Sequence, residues 1–164
     1  MGQAQMPNGL NPVFMQRAID LATENVRSGA GGPFAAVIVR DGIVVGEAAN
    51  SVTATNAPTA HGEINAIRKA CAAMGVFSLQ GCEMYTSCEP CPMCLAASYW
   101  ARLDVVYYGN DCDAAARAGF DDSFLYQQFK LDRTERSLRA MQLMREEAWE
   151  SFQAWRKTSD KIEY

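Results

Sequence analysis

A single α/β domain, built on a mixed sheet of about five strands with helices packed against it, is the fold class this sequence predicts. Three observations carry that reading. After one hairpin the pattern alternates strand, helix, strand, helix, strand, an order that favours a sheet with parallel members. The chain has 164 residues and is 49% hydrophobic, enough for one domain with a real core. Its charged fraction of 21% is that of a globular chain, not a disordered one.

The elements follow in order. In VFMQRAIDLATENVRSG (13–29), Phe14, Ala18, Leu21 and Ala22 share one helical face, and the run from Ser28 to Pro33 ends the helix. PFAAVIV (33–39) and IVVGEAA (43–49) read as strands joined by a hairpin at Arg40-Asp41-Gly42. NSVTATNAPTA (50–60) is a polar, turn-rich loop. The helix after it puts Ile64, Ile67, Ala70, Cys71 and Met74 on one face. CEMYTS (82–87) is a short strand, CPMCLAASYWA (91–101) a helix with Pro92 in its first turn, and LDVVYYG (103–109) another strand. DCDAAARAGF (111–120) reads as a helix with a glycine stop. SLRAMQLM (137–144) leans towards a fifth strand. EEAWESFQAWRK (146–157) is a helix whose Trp149, Phe152 and Trp155 are expected in a core or an interface.

Composition narrows the function. MGQAQMPNGLNP has neither a basic start nor an apolar run, so no secretory signal is expected, and Met6 stands where a myristoylation signal wants Ser or Thr. The longest apolar runs, such as FAAVIV (34–39), are too short to span a bilayer. The expected setting is cytoplasmic and reducing, where clustered cysteines are more often metal ligands or catalytic groups than disulfides. With 15 basic and 19 acidic residues the net charge is −4, which counts against a polynucleotide partner.

Three of the six cysteines fall within TSCEPCPMC (86–94), and the one histidine is His61. His61-Gly62-Glu63 and Cys91-Pro92-Met93-Cys94 each open a predicted helix that follows the sheet, and open α/β sheets place their sites at such an end. Cys91 and Cys94, three apart in a first turn, can share one ion, and the helix dipole there favours thiolate. Two thiolates and an imidazole neutralise a zinc dication and leave one tetrahedral position open, the catalytic pattern. Glu63 is two residues from His61. On a regular helix the two would point roughly 200° apart, so both address one site only from the helix end. Glu63 then stands beside the metal as a proton carrier.

Other readings of the cysteines exist. Cys88, Cys91 and Cys94 begin a ferredoxin-like spacing, but the fourth cysteine would fall at Ser98. A structural zinc site with Cys88 as fourth ligand leaves Glu63 unexplained. Cys91 and Cys94 also have the spacing of a thioredoxin-like redox pair. Cys71 and Cys82 read as small core residues.

The composite H-x-E…P-C-x-x-C matches the signature of zinc-dependent base deaminases, and at these residues the sequence resembles the cytidine deaminase-like superfamily. TAHGEINAIRKAC, YTSCEPCPMCLAASYWAR, AGFDDSFLYQQF, FQAWR and the terminal Glu163-Tyr164 extend the resemblance to the bacterial guanine deaminases, from about Gly31 to the last residue. Gly62 departs from the pattern, since many relatives have Ala there.

That resemblance implies a three-layer α/β/α fold, one Zn2+ on His61, Cys91 and Cys94, and Glu63 as catalytic acid and base. The implied reaction is hydrolysis of guanine to xanthine and ammonia. It implies substrate contacts from Phe34, Asn50, Trp100, Asp122 and Tyr164. Asn50, read alone, could equally be a turn residue and Phe34 a core strand residue; Trp100 could simply pack. The resemblance further implies a homodimer in which residues 121–164 form an arm exchanged between subunits, with Asp122 and Tyr164 lining a lid. The expected partner is a small purine base, with no nucleic acid and no membrane. Guanosine, cytosine and adenine are rival substrates on the same chemistry. A tRNA or single-strand editor is disfavoured by the acidic balance. A non-catalytic zinc-binding module is the rival from outside the fold's chemistry.

Overall fold

The alternation along three strands decides which helices lie on which side of the sheet. A computed structural model describes residues 10–163 of the chain; the lipidation reading at Met6 and the substrate contact expected of Tyr164 fall outside them. Strands β1 (Ala35–Arg40), β2 (Ile43–Ala49), β3 (Cys82–Cys88) and β4 (Val105–Asn110) form one sheet in the order β2-β1-β3-β4. β1 runs antiparallel to both β2 and β3, and β3 is parallel to β4. Ala36, Ile38, Met84 and Val106 face one side, where they pack with Ala66 and Ala70 of α3 (Gly62–Met74). Val37, Val39, Tyr85 and Tyr107 face the other, where they meet Phe14, Met15, Ala18 and Leu21 of α1 (Pro12–Arg27). The period of two along the strands thus yields three layers. The crossover from β3 to β4 is α4 (Pro92–Trp100).

The hairpin lies where the sequence predicts it. Arg40 pairs with Ile43, and the two residues between them, Asp41 and Gly42, both have positive φ, the type I′ geometry that suits twisted strands. Within the loop after β2 the structure adds one turn of helix, α2 (Val52–Thr55). Gly46 is required by close approach: a Cβ there would lie 2.7 Å from the Ala70 amide nitrogen and 2.8 Å from the Ala66 carbonyl oxygen. Gly46→Ala must push β2 away from α3, and overpacking of this kind costs about 1–3 kcal/mol. A fall of that size in denaturant unfolding is the expected result.

The sheet has four strands among the described residues, not about five. Residues 137–144 form no strand, and Leu138, Met141 and Leu143 are more than four-fifths exposed. A strand needs a neighbour for its backbone hydrogen bonds, and no other strand lies in that part of the chain. The chain divides into two compact units after Asp122. The first carries the sheet together with α5 (Cys112–Arg117). The second contains α6 (Ser123–Lys130) and α7 (Arg145–Lys157), and none of its described residues is buried. Trp149, Phe152 and Trp155 on α7 are therefore not core residues of that unit: all three are more than two-fifths exposed. Among the described residues no helix is long and apolar enough to cross a membrane.

Candidate active site

One end of the sheet's strands collects the residues that matter. β1 begins there after Phe34, β2 ends there before Asn50, and β3 ends there at Cys88, because β1 is antiparallel to both neighbours. α3 and α4 both start nearby. His61 is the N-cap of α3 and Cys91 the N-cap of α4, each in extended backbone, and neither side chain caps its own helix. Glu63 then sits in the first turn of α3 and Cys94 in the first turn of α4. The helix start is the one place where His61 and Glu63, two apart, can address the same point. Gly62 between them lies so close to β1 that a Cβ would stand 2.8 Å from the Ala35 Cα. The missing side chain at Gly62 is thus what lets this helix start press against the strand.

The Sγ atoms of Cys91 and Cys94 each lie 3.6 Å from His61 Nδ1, and the three donor atoms fall within 4.8 Å of one another. Zinc with Zn–S of about 2.3 Å and Zn–N of about 2.0 Å at tetrahedral angles sets an N···S edge of roughly 3.5 Å. The donor set therefore matches the ion in type and spacing. Among the described residues it is the one such group of three or more.

Electrostatics agree. Cys91 is brought down to about 4, by its hydrogen bond to Cys94 and then by His61, against the effect of burial. Cys94 is pushed the other way, first by its hydrogen bond to Cys91 and then by burial. The hydrogen bond to Cys91 raises His61. Burial raises Glu63, which is 5% exposed, and burial followed by the charge on Cys91 raises Asp122. The Cys94 thiol and the Glu63 and Asp122 carboxyls, crowded beside the Cys91 thiolate, favour their protonated forms where no cation offsets the charge. Cys88 stands apart from the donors. Its thiol donates to the Asp111 carbonyl oxygen at 3.8 Å, and burial pushes it up to about 11.

His61, Glu63 and Cys91 open on a cavity of about 520 Å³. Phe34, Asn50 and Asp122 line the same cavity, so three of the five substrate contacts that the resemblance implies come together beside the donor set. The Asn50 Oδ1 accepts from the Val52 amide at 3.2 Å, which leaves its Nδ2 for another acceptor. Trp100 is not brought there. It is 70% exposed at the end of α4 and does not line the cavity. Six residues beyond Cys94, it is roughly 9 Å further along the axis and about 240° around it. Phe120 is one of the lining residues that sequence reasoning missed: its ring meets Phe34 edge-on, with centroids 4.8 Å apart. The signal was its place two residues before Asp122.

Residues 11–110 match the family model described as the cytidine and deoxycytidylate deaminase zinc-binding region. The chain is 51% identical to guanine deaminase of Bacillus subtilis (strain 168), across 92% of this chain and 97% of that protein. The X-ray structure of guanine deaminase from Bacillus subtilis superposes with a TM-score of 0.92 at 50% identity, covering 94% of this chain and 99% of the other. A tRNA-specific adenosine deaminase of Agrobacterium fabrum is 46% identical over a shorter stretch, 47% of this chain and 51% of that one.

Proposed function

The chain belongs to the cytidine and deoxycytidylate deaminase zinc-binding family, and from that premise we propose that it hydrolyses guanine to xanthine and ammonia. His61, Cys91 and Cys94 hold one zinc, and Glu63 carries the protons. The observation that bears most weight is the convergence of two helix starts, which sets three donors at zinc spacing, two of them opening with a buried carboxylate on one cavity.

Zinc bound to these donors supplies a water acidified into the neutral range. The remaining work falls to the chain. Glu63, buried and with a raised pKa, takes the first proton from the water as its oxygen bonds to the carbon that bears the amine, and passes it to the adjacent ring nitrogen; it then takes the second proton from the hydroxyl now on that carbon and gives it to the amine, which leaves as ammonia as the C–N bond breaks and the carbonyl forms. Phe34 stacks on the base, with Phe120 against its edge. Asn50 donates from Nδ2 to an acceptor on the purine edge, and Asp122 accepts from a ring N–H. Cys88 stays a thiol and holds the end of β3 to the start of α5.

Trp100 and residues 121–164 have a place in the same proposal. The second compact unit begins at Ser123 and has no interior of its own among the described residues. Exchange of this arm within a homodimer would give its apolar side chains a surface to cover, and domain exchange is a low-cost route to a twofold dimer. Tyr164 and Trp100 would then act across subunits.

The test is ammonia release by the purified, zinc-loaded protein, offered guanine, guanosine, cytosine, cytidine, adenine and adenosine separately. Release from guanine alone is the expected result. Release from guanosine instead would keep the proton chemistry but overturn the closed lid at Tyr164. No release from any of the six would return a non-catalytic zinc module to the front.

A further inference from the structure

Asn25 was part of no motif, yet it closes a ring of hydrogen bonds around the two residues proposed to grip the base. It sits near the end of α1 and is 9% exposed. Its Nδ2 donates to the Gly32 carbonyl oxygen at 2.9 Å and to the Asn50 carbonyl oxygen at 2.9 Å, which uses both hydrogens. The Phe34 amide donates to the same Gly32 oxygen at 2.9 Å, and the Asn50 amide donates to the Phe34 carbonyl at 2.8 Å. Four bonds thus join residues 25, 32, 34 and 50 in a closed circuit. The backbone carbonyl of Asn25 also accepts from the Ala30 and Gly31 amides, so one residue holds the turn from both ends.

The circuit is tight. A Cβ on Gly31 would stand 2.4 Å from the Asn50 carbonyl oxygen and 2.8 Å from Asn25 Nδ2. Asn25 itself does not line the cavity, whereas Phe34 and Asn50 do. An asparagine within a helix is worse for helix formation than alanine would be, so its presence needs a reason outside the helix. Satisfied buried polar networks of this kind fix geometry more than they add stability.

We propose that Asn25 is a positioning residue for substrate recognition: it sets the spacing between the Phe34 ring and the Asn50 amide, and so how the base is held, without touching it. This rests on the deaminase reading above. Loss of Asn25 acts on binding through Phe34 and Asn50 and leaves the proton-transfer machinery at His61, Glu63, Cys91 and Cys94 in place.

The test is steady-state guanine hydrolysis by Asn25→Ala and by the milder Asn25→Ser, which keeps one donor, each also made in an Asn50→Ala background. The expected result is a KM about tenfold higher in Asn25→Ala, smaller in Asn25→Ser, with kcat within about twofold and zinc still one per chain. In the Asn50→Ala background the same changes should move KM much less, because the route through Asn50 is already cut. Hydrogen exchange reads the circuit without substrate: the Phe34 and Asn50 amides, protected in the parent, should exchange faster in either variant. The proposal is overturned if KM is unchanged, if the effect is as large in the Asn50→Ala background, or if those amides keep their protection. A parent protein inert towards guanine would instead sink the deaminase reading, an outcome plainly distinct from an active parent with an indifferent Asn25→Ala.

Discussion

Glu63→Gln is expected to lower kcat on guanine about 10³-fold while the zinc content stays at one per chain. Positioned general acid–base groups contribute on the order of 10²–10⁴ in rate, and here one carboxyl is asked to act twice, as base towards water and as acid towards the ring nitrogen and the amine. Glutamine keeps the shape and can still hydrogen-bond, but it cannot carry a proton. The fold should not suffer. Glu63 is 5% exposed and its pKa is raised first of all by burial, so its charge is a cost to the folded state that glutamine removes. Single-turnover ammonia release beside metal analysis and thermal unfolding separates the outcomes. Retained turnover would remove Glu63 from the mechanism, and joint loss of metal and turnover would make it a ligand.

The second large effect is expected from the donors. Cys94→Ala or His61→Ala should drop zinc from about one per chain to near none, with ammonia release falling below about a thousandth of the parent. Removing one of three protein ligands from a site at this spacing leaves too few to hold the ion against water. Cys88→Ser is the contrasting case. Its sulfur faces the Asp111 carbonyl, it is held as a thiol by burial, and it is outside the donor group, so zinc should remain. Metal analysis after exhaustive dialysis checks all three. Loss of zinc in Cys88→Ser would restore the structural-zinc reading of the cysteine cluster.

Local rules made the chemical half of the site readable. Pro92 marks a first helical turn, so Cys91 and Cys94 could be placed together from spacing alone, and the pair His61 and Glu63 had to lie at a helix start to serve one point. The hairpin at Asp41-Gly42 and the faces of α1 and α3 were legible for the same reason: each is fixed by neighbours within a few residues. What depends on distant partners was not. Residues 137–144 have strand-like composition but no strand to pair with. Trp100 lies beside the motif in sequence, and the turn of α4 carries it away from the cavity of its own chain. Phe120 was hidden because a phenylalanine after a glycine shows nothing of the Phe34 ring it meets. Asn25 was hidden more deeply, since one partner of its amide, the Asn50 carbonyl, lies in a loop that only the folded sheet brings near.

The single end of the sheet on which the site is built also carries a consequence for folding. Phe34 and Asn50 come near Cys91 only after β1 has paired with β3, and between those strands lie β2 and all of α3. Pairings so far apart in sequence form late, because the chain must close a long loop before any contact offsets the lost entropy. The proposed ligands His61, Cys91 and Cys94 are therefore scattered until the sheet exists. A metal that prefers the assembled trio to the open chain stabilises the folded state by mass action. Metal supply would then govern how long the finished domain lasts more than how fast it forms.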